Sequence, residues 1–510
     1  MLLEKAESST AFKSLLIAGT FLLYLAWITT YRLFLSPVAK FPGPKLAGLT
    51  FWYEFYYDVV CRGSYFREIE RMHRLYGPIV RINPYELHVI DPTFYPILYS
   101  GPTKKRDKWS WAAKMFGNRT STFATVSHDH HRLRRSALNP LFSKKSINNQ
   151  IPMIQGQLNI LTHRLDLYCV SGKVLDIGLV FAVFAADVIA TYAFGHSMEL
   201  LQEEDFARDW VASVAAPSEL GHLIKQAPWL VGLVRLLPRP IAKVIAPAFS
   251  LLLEVQDRMN RQISSLVSKH EKHPLSEGPL NVFDSLMHSK LPPSEKTVQR
   301  LKGEGQILIG AGTLTTSNLL KVLFYHLLCR PDIFQKIRDE IDGEFPNPES
   351  PFELSRLESL PWFEASVKEA LRLNYGVTHR LQLIAPQESL FFQEWEIPAG
   401  TPVGMTSVFM HDNPWVFPEP RCFKPDRWMN PEIRPYLAQN FVPFSKGTRM
   451  CLGQHLAYAE IYLVSATLIR RYDMQLFEVS HDDIEMKHDF FDPYPKLDSK
   501  GLRVIMNRRD

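Results

Sequence analysis

FVPFSKGTRMCLGQHLAYAEIYL, residues Phe441–Leu463, is the stretch whose reading decides the rest of the chain. It reads as a tight loop holding one cysteine, Cys451, that opens onto an amphipathic helix. Gly447 and Gly453 bracket the cysteine, and glycine lets backbone bend sharply and approach a flat ligand closely. Leu452, Leu456, Ala459 and Leu463 recur at spacings of three and four, the period of a helix with one apolar face. A cysteine just ahead of a helix faces unpaired N–H groups and the positive dipole end, which favour thiolate, the metal-ligating form. Arg449, two residues earlier, supplies a permanent cation with a fork suited to a carboxylate. A buried structural cysteine beside a surface arginine is the plain alternative for any lone cysteine.

The surrounding chain has 510 residues, ample for a large core. Its net charge of +5 is mild, and no long run of Lys and Arg suggests a nucleic-acid partner. Cys61, Cys169, Cys329, Cys422 and Cys451 are odd in number, far apart and without a C-x-x-C pair, which fits a reducing compartment better than a disulfide framework.

Ser14–Tyr31 is uncharged throughout. As a helix it spans roughly 27 Å, about the hydrocarbon thickness of the endoplasmic reticulum bilayer. A cleaved signal peptide is the rival, but the run is longer than a usual apolar core of such a peptide and has no A-x-A-like exit. Arg32, Lys40 and Lys45 follow it, so the positive-inside rule puts the bulk of the chain in the cytosol. The organisation expected is a single-pass anchor in residues 1–34 and one catalytic domain in residues 35–510. Phe41-Pro42-Gly43-Pro44 is a stiff, helix-incompatible hinge between them. Ile79–Ile82 and Glu86–Ile90 read as a hairpin, and Trp229–Ile245 is apolar but too broken by Pro238 and Pro240 to span a membrane. That segment reads equally as buried core or as a surface-dipping element.

Phe444, Gly447, Arg449, Cys451 and Gly453 stand where the F-x-x-G-x-R-x-C-x-G loop of the cytochrome P-450 superfamily has its fixed residues, and Leu456, Ala457 and Glu460 extend the match. The chain resembles that superfamily over essentially everything after the anchor. The resemblance implies a mostly helical α+β fold and haem b (iron protoporphyrin IX) as cofactor. Cys451 is then the axial iron ligand, Phe444 shields its sulfur, Gly447 shapes the loop and Arg449 pairs with a haem propionate. A thiolate ligand favours O–O cleavage.

Other segments extend the resemblance. The family's W-x-x-x-R, which grips a propionate, is met here by His131 and Arg135; His can donate the same hydrogen bond as an indole N–H. Arg380 stands where many members place another propionate-binding arginine. A long helix is expected from an N-cap at Ser294 to about Cys329. Its middle, Gly310–Thr316, carries two glycines and three threonines, a weakness of the kind that marks functional distortion, though threonines bonding their own helix carbonyls are the common alternative. The segment resembles the oxygen-activation motif A-G-x-[D/E]-T, making Thr315 the catalytic hydroxyl; Leu314 replaces the usual acid. Glu369 and Arg372 match E-x-x-R, and Arg427 lies in a P-E-R-[F/W]-like string, which implies a buried structural cluster. The loop Gly101–Thr125, with Trp109, Trp111, Met115 and Phe116, corresponds to a segment that covers substrate in the family, with ordinary surface packing an equal alternative for each of these side chains. Phe490–Pro495 corresponds to a turn that often touches substrate.

What the resemblance implies is a reductase-supported monooxygenase that inserts one oxygen atom of O2 into a small lipophilic substrate. Its partners are an NADPH-dependent flavoprotein reductase and the membrane, with the enzyme a monomer. The likeness is strongest to fungal secondary-metabolism members such as trichodiene oxygenase, which implies a terpenoid or polyketide substrate. A reductase-independent isomerase or dehydratase, and a non-enzymatic haem sensor, stay open as alternatives.

Overall fold

The computed structural model describes residues 2–272, 281–347 and 350–509. The first helix, Leu2–Thr30, continues as a π-turn over Tyr31–Leu35. Within it Phe12–Leu35, mean hydropathy 1.6, is wholly unburied. Ile177–Phe194 and Val298–Cys329 are also long and apolar enough to cross a membrane, but Ile177–Phe194 is almost wholly buried against other helices and Val298–Cys329 more than half so. Apolar length therefore has two causes here: a solvent-facing candidate anchor, and helices surrounded by protein. Arg32 and Arg81 tie the end of the first helix to the globule: Arg32 donates to the Leu49 carbonyl and Arg81 to that of Arg32, both at 2.7 Å.

Val298–Cys329, the central helix, is 32 residues long and packs most extensively on Ile177–Phe194. Its N-cap is Thr297, whose side chain accepts from the Arg300 N–H. Ser294, the expected cap, is taken up in a short 3-10 turn, Pro293–Glu295, and extended backbone at Thr297 separates that turn from the helix. The large core joins the central helix to Ile151–Ser171, Ile177–Phe194, Pro361–Asn374 and the helix after the cysteine, Gln454–Arg471.

The sheets are small. A five-stranded sheet runs in the order Ile79–Arg81, Leu87–Val89, Pro402–Gly404, Leu383–Ile384, Asp107–Lys108, antiparallel except where Leu87–Val89 meets Pro402–Gly404. Its edge register sets Lys108 against Leu383, which brings two distant loops together. The expected hairpin over Ile79–Ile90 is present. Near the C-terminus His488–Phe490 pairs with Asp492–Tyr494 around Phe491. All five cysteines are free.

Candidate active site

The cysteine loop owes its shape to glycine. Gly447 has φ +75°, and a Cβ there would lie 2.3 Å from the Ser100 carbonyl oxygen and 2.5 Å from that of Tyr99. The Cys451 N–H donates to the Phe444 carbonyl at 2.9 Å, and the Phe444 ring lies against Tyr458 at 5.3 Å. Cys451 keeps solvent-accessible surface although protein encloses it closely. Enclosure pushes its thiol above the ordinary value, with the Gly453 N–H and the Arg135 cation pulling the other way. The Gly453 N–H at the helix start favours thiolate as expected, and desolvation opposes it. A bound metal cation would favour the deprotonated sulfur further.

Above the loop lies a cradle of basic groups. Arg449 donates to the carbonyls of Thr125 (2.8 Å) and Val126 (2.7 Å), and Arg135 to Asn139 Oδ1 (2.6 Å) and the Met450 carbonyl (2.9 Å). Lys108 donates to the Phe123 carbonyl at 2.6 Å. Their partners are carbonyls and one side-chain amide, not carboxylates. Burial lowers all of them: Arg449 to about 10, Arg135 and, with repulsion from Arg449 added, Lys108 well below its ordinary value. His131 is buried among them, lowered to about 2 by burial and then by Arg449, Arg135 and Lys108, and its Nδ1 has no partner among the described residues. The buried Gln382 Nε2 likewise has none among them. Enclosed cations and orphaned polar nitrogens of this kind fit a ligand that carries carboxylates next to Cys451. The two propionates of haem meet that description.

Arg380 does not belong to the cradle. Its guanidinium is buried and donates to Glu54 Oε1 (2.5 Å) and Glu86 Oε1 (2.9 Å). Lys225 joins the same network, 2.7 Å from Glu54 and 3.2 Å from Asp58. The expectation of a propionate contact is corrected, because two internal carboxylates already neutralise this arginine. Glu54 and Asp58 carry no motif, so nothing in the sequence announced them as its partners.

The central helix presents a bare stripe. A Cβ on Gly310 would meet nothing within 4 Å, Ala311 is exposed, and Leu314 and Thr315 are partly exposed, spacings that share one helix face. The helix is α throughout, so the anticipated distortion is absent. Thr315 Oγ1 donates to the Ala311 carbonyl (2.7 Å) and Thr313 Oγ1 to that of Ile309 (2.8 Å). Gly312 has a packing reason: a Cβ would lie 2.9–3.1 Å from Ile189 on the neighbouring helix. Leu314 leans on the large core. On the far side, buried Thr316 stands beside Glu460 of the cysteine helix, whose carboxyl burial pushes well above the carboxylate range, opposed by the Thr316 hydroxyl.

Beside the cradle a small cavity is lined by Lys108, Met115, Phe116, Phe123, His379 and Phe491 among others. Phe116, Phe123 and Phe491 meet edge-on with centroids 4.8–5.8 Å apart. Phe491 has φ +74°, a rare conformation for a bulky residue, held by its N–H on Asp489 Oδ1 (3.0 Å) and its carbonyl under the Thr378 N–H (2.9 Å). Two of the expected substrate-facing segments therefore converge. Within the first, Met115 and Phe116 line the cavity, whereas Trp109 and Trp111 stack with Phe51 elsewhere.

Glu369, Arg372 and Arg427 form the expected buried cluster. Arg372 donates to both Glu369 oxygens (2.8 and 3.0 Å), Arg427 Nε to Oε1 (3.1 Å), Trp428 Nε1 to Oε2 (2.9 Å) and the Lys424 N–H to Oε1 (3.0 Å). Arg372 also donates to the carbonyls of His411 (3.1 Å), Pro420 and Cys422 (3.2 Å). The cluster thus fastens the segment leading into the cysteine loop onto helix Pro361–Asn374.

The cytochrome P450 family model matches residues 42–498. The chain is 62% identical over 479 residues to the tryptophan 6-hydroxylase fscE of Fusarium equiseti, covering 94% of each chain. It is 55% identical over 492 residues to the N-acetyltryptophan 6-hydroxylase ivoC of Emericella nidulans, covering 96% of each. Identity to the cytochrome P450 monooxygenase tpcC of Cochliobolus heterostrophus is 40% over 510 residues. In fold it is similar to a crystallised cytochrome P450, CYP102L1, with a TM-score of 0.70 at 16% identity over 87% of this chain and 94% of that one. With the family model spanning most of the chain and relatives this similar, the chain belongs to the cytochrome P450 family and is a haem-dependent monooxygenase of fungal secondary-metabolism type.

Proposed function

We propose that this monooxygenase hydroxylates the indole ring of a tryptophan-type substrate. The observation that carries the reading is the likeness to a tryptophan 6-hydroxylase and an N-acetyltryptophan 6-hydroxylase, beside a small cavity of about 20 Å³ lined by Phe116, Phe123 and Phe491 among others. Edge-on phenyl rings suit a flat aromatic guest. A tryptophan-type indole is a different class from the terpenoid or polyketide that the sequence suggested.

When bound, haem supplies the activation of dioxygen. In this reading Cys451 Sγ would hold the haem iron, Phe444 would shield the sulfur and Gly447 allows the loop to close. Arg449, Arg135 and His131 would hold the propionates, joined by Lys108 and Gln382. Thr315, on the bare stripe, holds an ordered water at its hydroxyl; Asn318, three residues on and on the same face, orients it. Leu314 cannot carry a proton, so protons reach Thr315 through solvent.

The anchor reading extends to the surface. Residues 1–34 form a single-pass anchor in the endoplasmic reticulum membrane, and residues 35–510 a cytosolic catalytic domain. Trp229–Leu236 and Arg239–Ile245 expose Trp229, Leu236, Val244 and Ile245, which supports the surface-dipping alternative over buried core. Electrons come from an NADPH-dependent flavoprotein reductase, and the enzyme acts as a monomer.

The test is reconstitution of the full-length holoenzyme with such a reductase, NADPH and either tryptophan or N-acetyltryptophan. One oxygen atom added to the ring, with NADPH consumed in step, is the expected result. No oxidation of either indole would overturn the substrate assignment.

A further inference from the structure

His379 sits where the buried polar network meets the aromatic cavity, and one of its ring nitrogens has nothing to bond. Its Nδ1 lies 3.1 Å from Asp489 Oδ2. Asp489 is held in place: Oδ1 accepts from Thr378 Oγ1 (2.9 Å) and from the Phe491 N–H (3.0 Å), and its backbone carbonyl oxygen pairs with His222 Nε2 at 2.6 Å. Burial would raise the Asp489 carboxyl, but His379 and His222 beside it bring it below its ordinary value. An ionised carboxylate can only accept, so it selects the His379 tautomer with hydrogen on Nδ1. Burial, and then the Lys225 cation, lower the imidazole to about 4, so the ring is neutral near pH 7. Nε2 is then a bare acceptor, it has no partner among the described residues, and the residue lines the cavity at 3% exposure.

His222, His379 and Asp489 also bring ligand atoms within 4.8 Å of one another, the geometry of a candidate metal cluster. That use is disfavoured. Asp489 Oδ1 already accepts two hydrogen bonds, His222 Nδ1 faces Asp58 at 3.1 Å, and the Lys225 cation lies close enough to depress His379.

We propose that His379, oriented by Asp489, is a specificity-determining residue whose Nε2 accepts the N–H of the substrate's indole and so fixes which edge of the ring faces the oxidant. The inference rests on the indole reading above. An unpaired acceptor buried at an apolar wall rejects any guest that cannot donate to it. Phe491 is placed by the same aspartate that orients His379, so the flat wall and the polar mark hold a fixed relation. Lys108, Arg380 and Gln382, the other polar residues of the lining, bring hydrogen-bond donors, so this acceptor gives two orientations of a flat guest different energies.

The test compares tryptophan with 3-(3-benzothienyl)alanine, whose sulfur replaces the ring N–H without added bulk. Binding to the full-length holoenzyme is read by the haem spin-state change, and turnover with reductase by the position of the new hydroxyl group. Wild type should bind tryptophan about 10-fold or more tightly than the sulfur analogue and hydroxylate it at one position. His379→Leu should lose that preference and spread oxygen over several ring positions. His379→Gln, whose amide oxygen can replace Nε2 as acceptor, should restore part of it. Equal affinity of the wild type for the two compounds overturns the proposal even if the variants fail to fold. Full discrimination retained in a haem-replete His379→Leu overturns it as well. If the wild type oxidises neither compound, the indole reading falls with it, an outcome distinct from indole oxidation without discrimination.

Discussion

Glu369 is the position at which the buried scaffold can be tested most sharply. It receives five hydrogen bonds, two from Arg372 and one each from Arg427, Trp428 and the Lys424 N–H. Glu369→Ala removes the carboxylate that the two guanidiniums share and leaves both without an ion-paired carboxylate among the described residues. Breaking a buried pair in this way costs about 3–5 kcal/mol. Arg427→Ala is a smaller injury. Glu369 keeps four of its five donors, and what is lost besides is the cap on the carbonyls of Pro418 (2.9 Å) and Glu419 (3.4 Å). A few orphaned acceptors at partly buried positions cost about 1–3 kcal/mol. The order expected is therefore Glu369→Ala well below Arg427→Ala, with wild type above both. The readout is haem-bound protein per total chain, from the reduced CO spectrum, alongside thermal melting of whatever is soluble. A normal haem complement in Glu369→Ala, or Arg427→Ala melting below it, would refute the reasoning.

Other outcomes follow from the same geometry. Reduced wild type with CO should show the red-shifted Soret band of a thiolate ligand, and Cys451→Ser should lose it; a histidine-type spectrum in wild type would sink the ligand assignment. Thr315→Ala should keep haem and substrate binding yet divert electrons to hydrogen peroxide, and equal coupling to wild type would reduce Thr315 to a packing residue. Full-length protein should resist alkaline carbonate extraction from membranes, and removal of residues 1–34 should weaken attachment without loss of haem. Glu295 is lowered to about 2; burial alone would raise it, and Arg134 and His130 more than offset that. A depressed carboxyl stabilises the fold above its unfolded value of about 4.3, and the contribution is lost as pH falls toward about 2. Glu295→Gln should then melt lower than wild type at pH 7 and lose less between pH 5 and 3, measured by thermal unfolding.

The legible parts of the fold were those encoded over short spans. A glycine-bracketed cysteine before a helical period, a hairpin around Asn83 and Pro84, and the Glu369–Arg372 spacing each state their geometry within a few residues. The central helix was legible in its length but not in its start. Ser294 and Thr297 are both good caps, and only the backbone around Pro293 separates a short turn from a helix. Gly312 was misread for a related reason. A glycine within a helix looks like weakness until Ile189, more than a hundred residues away, is found against it.

The site divides along the same line. Arg449, Arg135 and His131 are identifiable because each lies at a fixed offset from a local marker, and they gather as expected. Arg380 also lies at such an offset, yet Glu54 and Glu86, roughly 300 residues earlier in the chain, claim it. A charge's partner is set by tertiary proximity, and neither carboxylate belongs to any periodic or spaced pattern. His379 was passed over although it is the residue before Arg380, because a lone histidine carries no signal in sequence. Its meaning comes from Asp489, 110 residues later, which holds one ring nitrogen while the other is buried with no partner among the described residues. Motif spacing therefore reports the machinery that the family shares. The groups that distinguish one substrate from another are assembled from residues far apart in sequence, and only the folded chain brings them together.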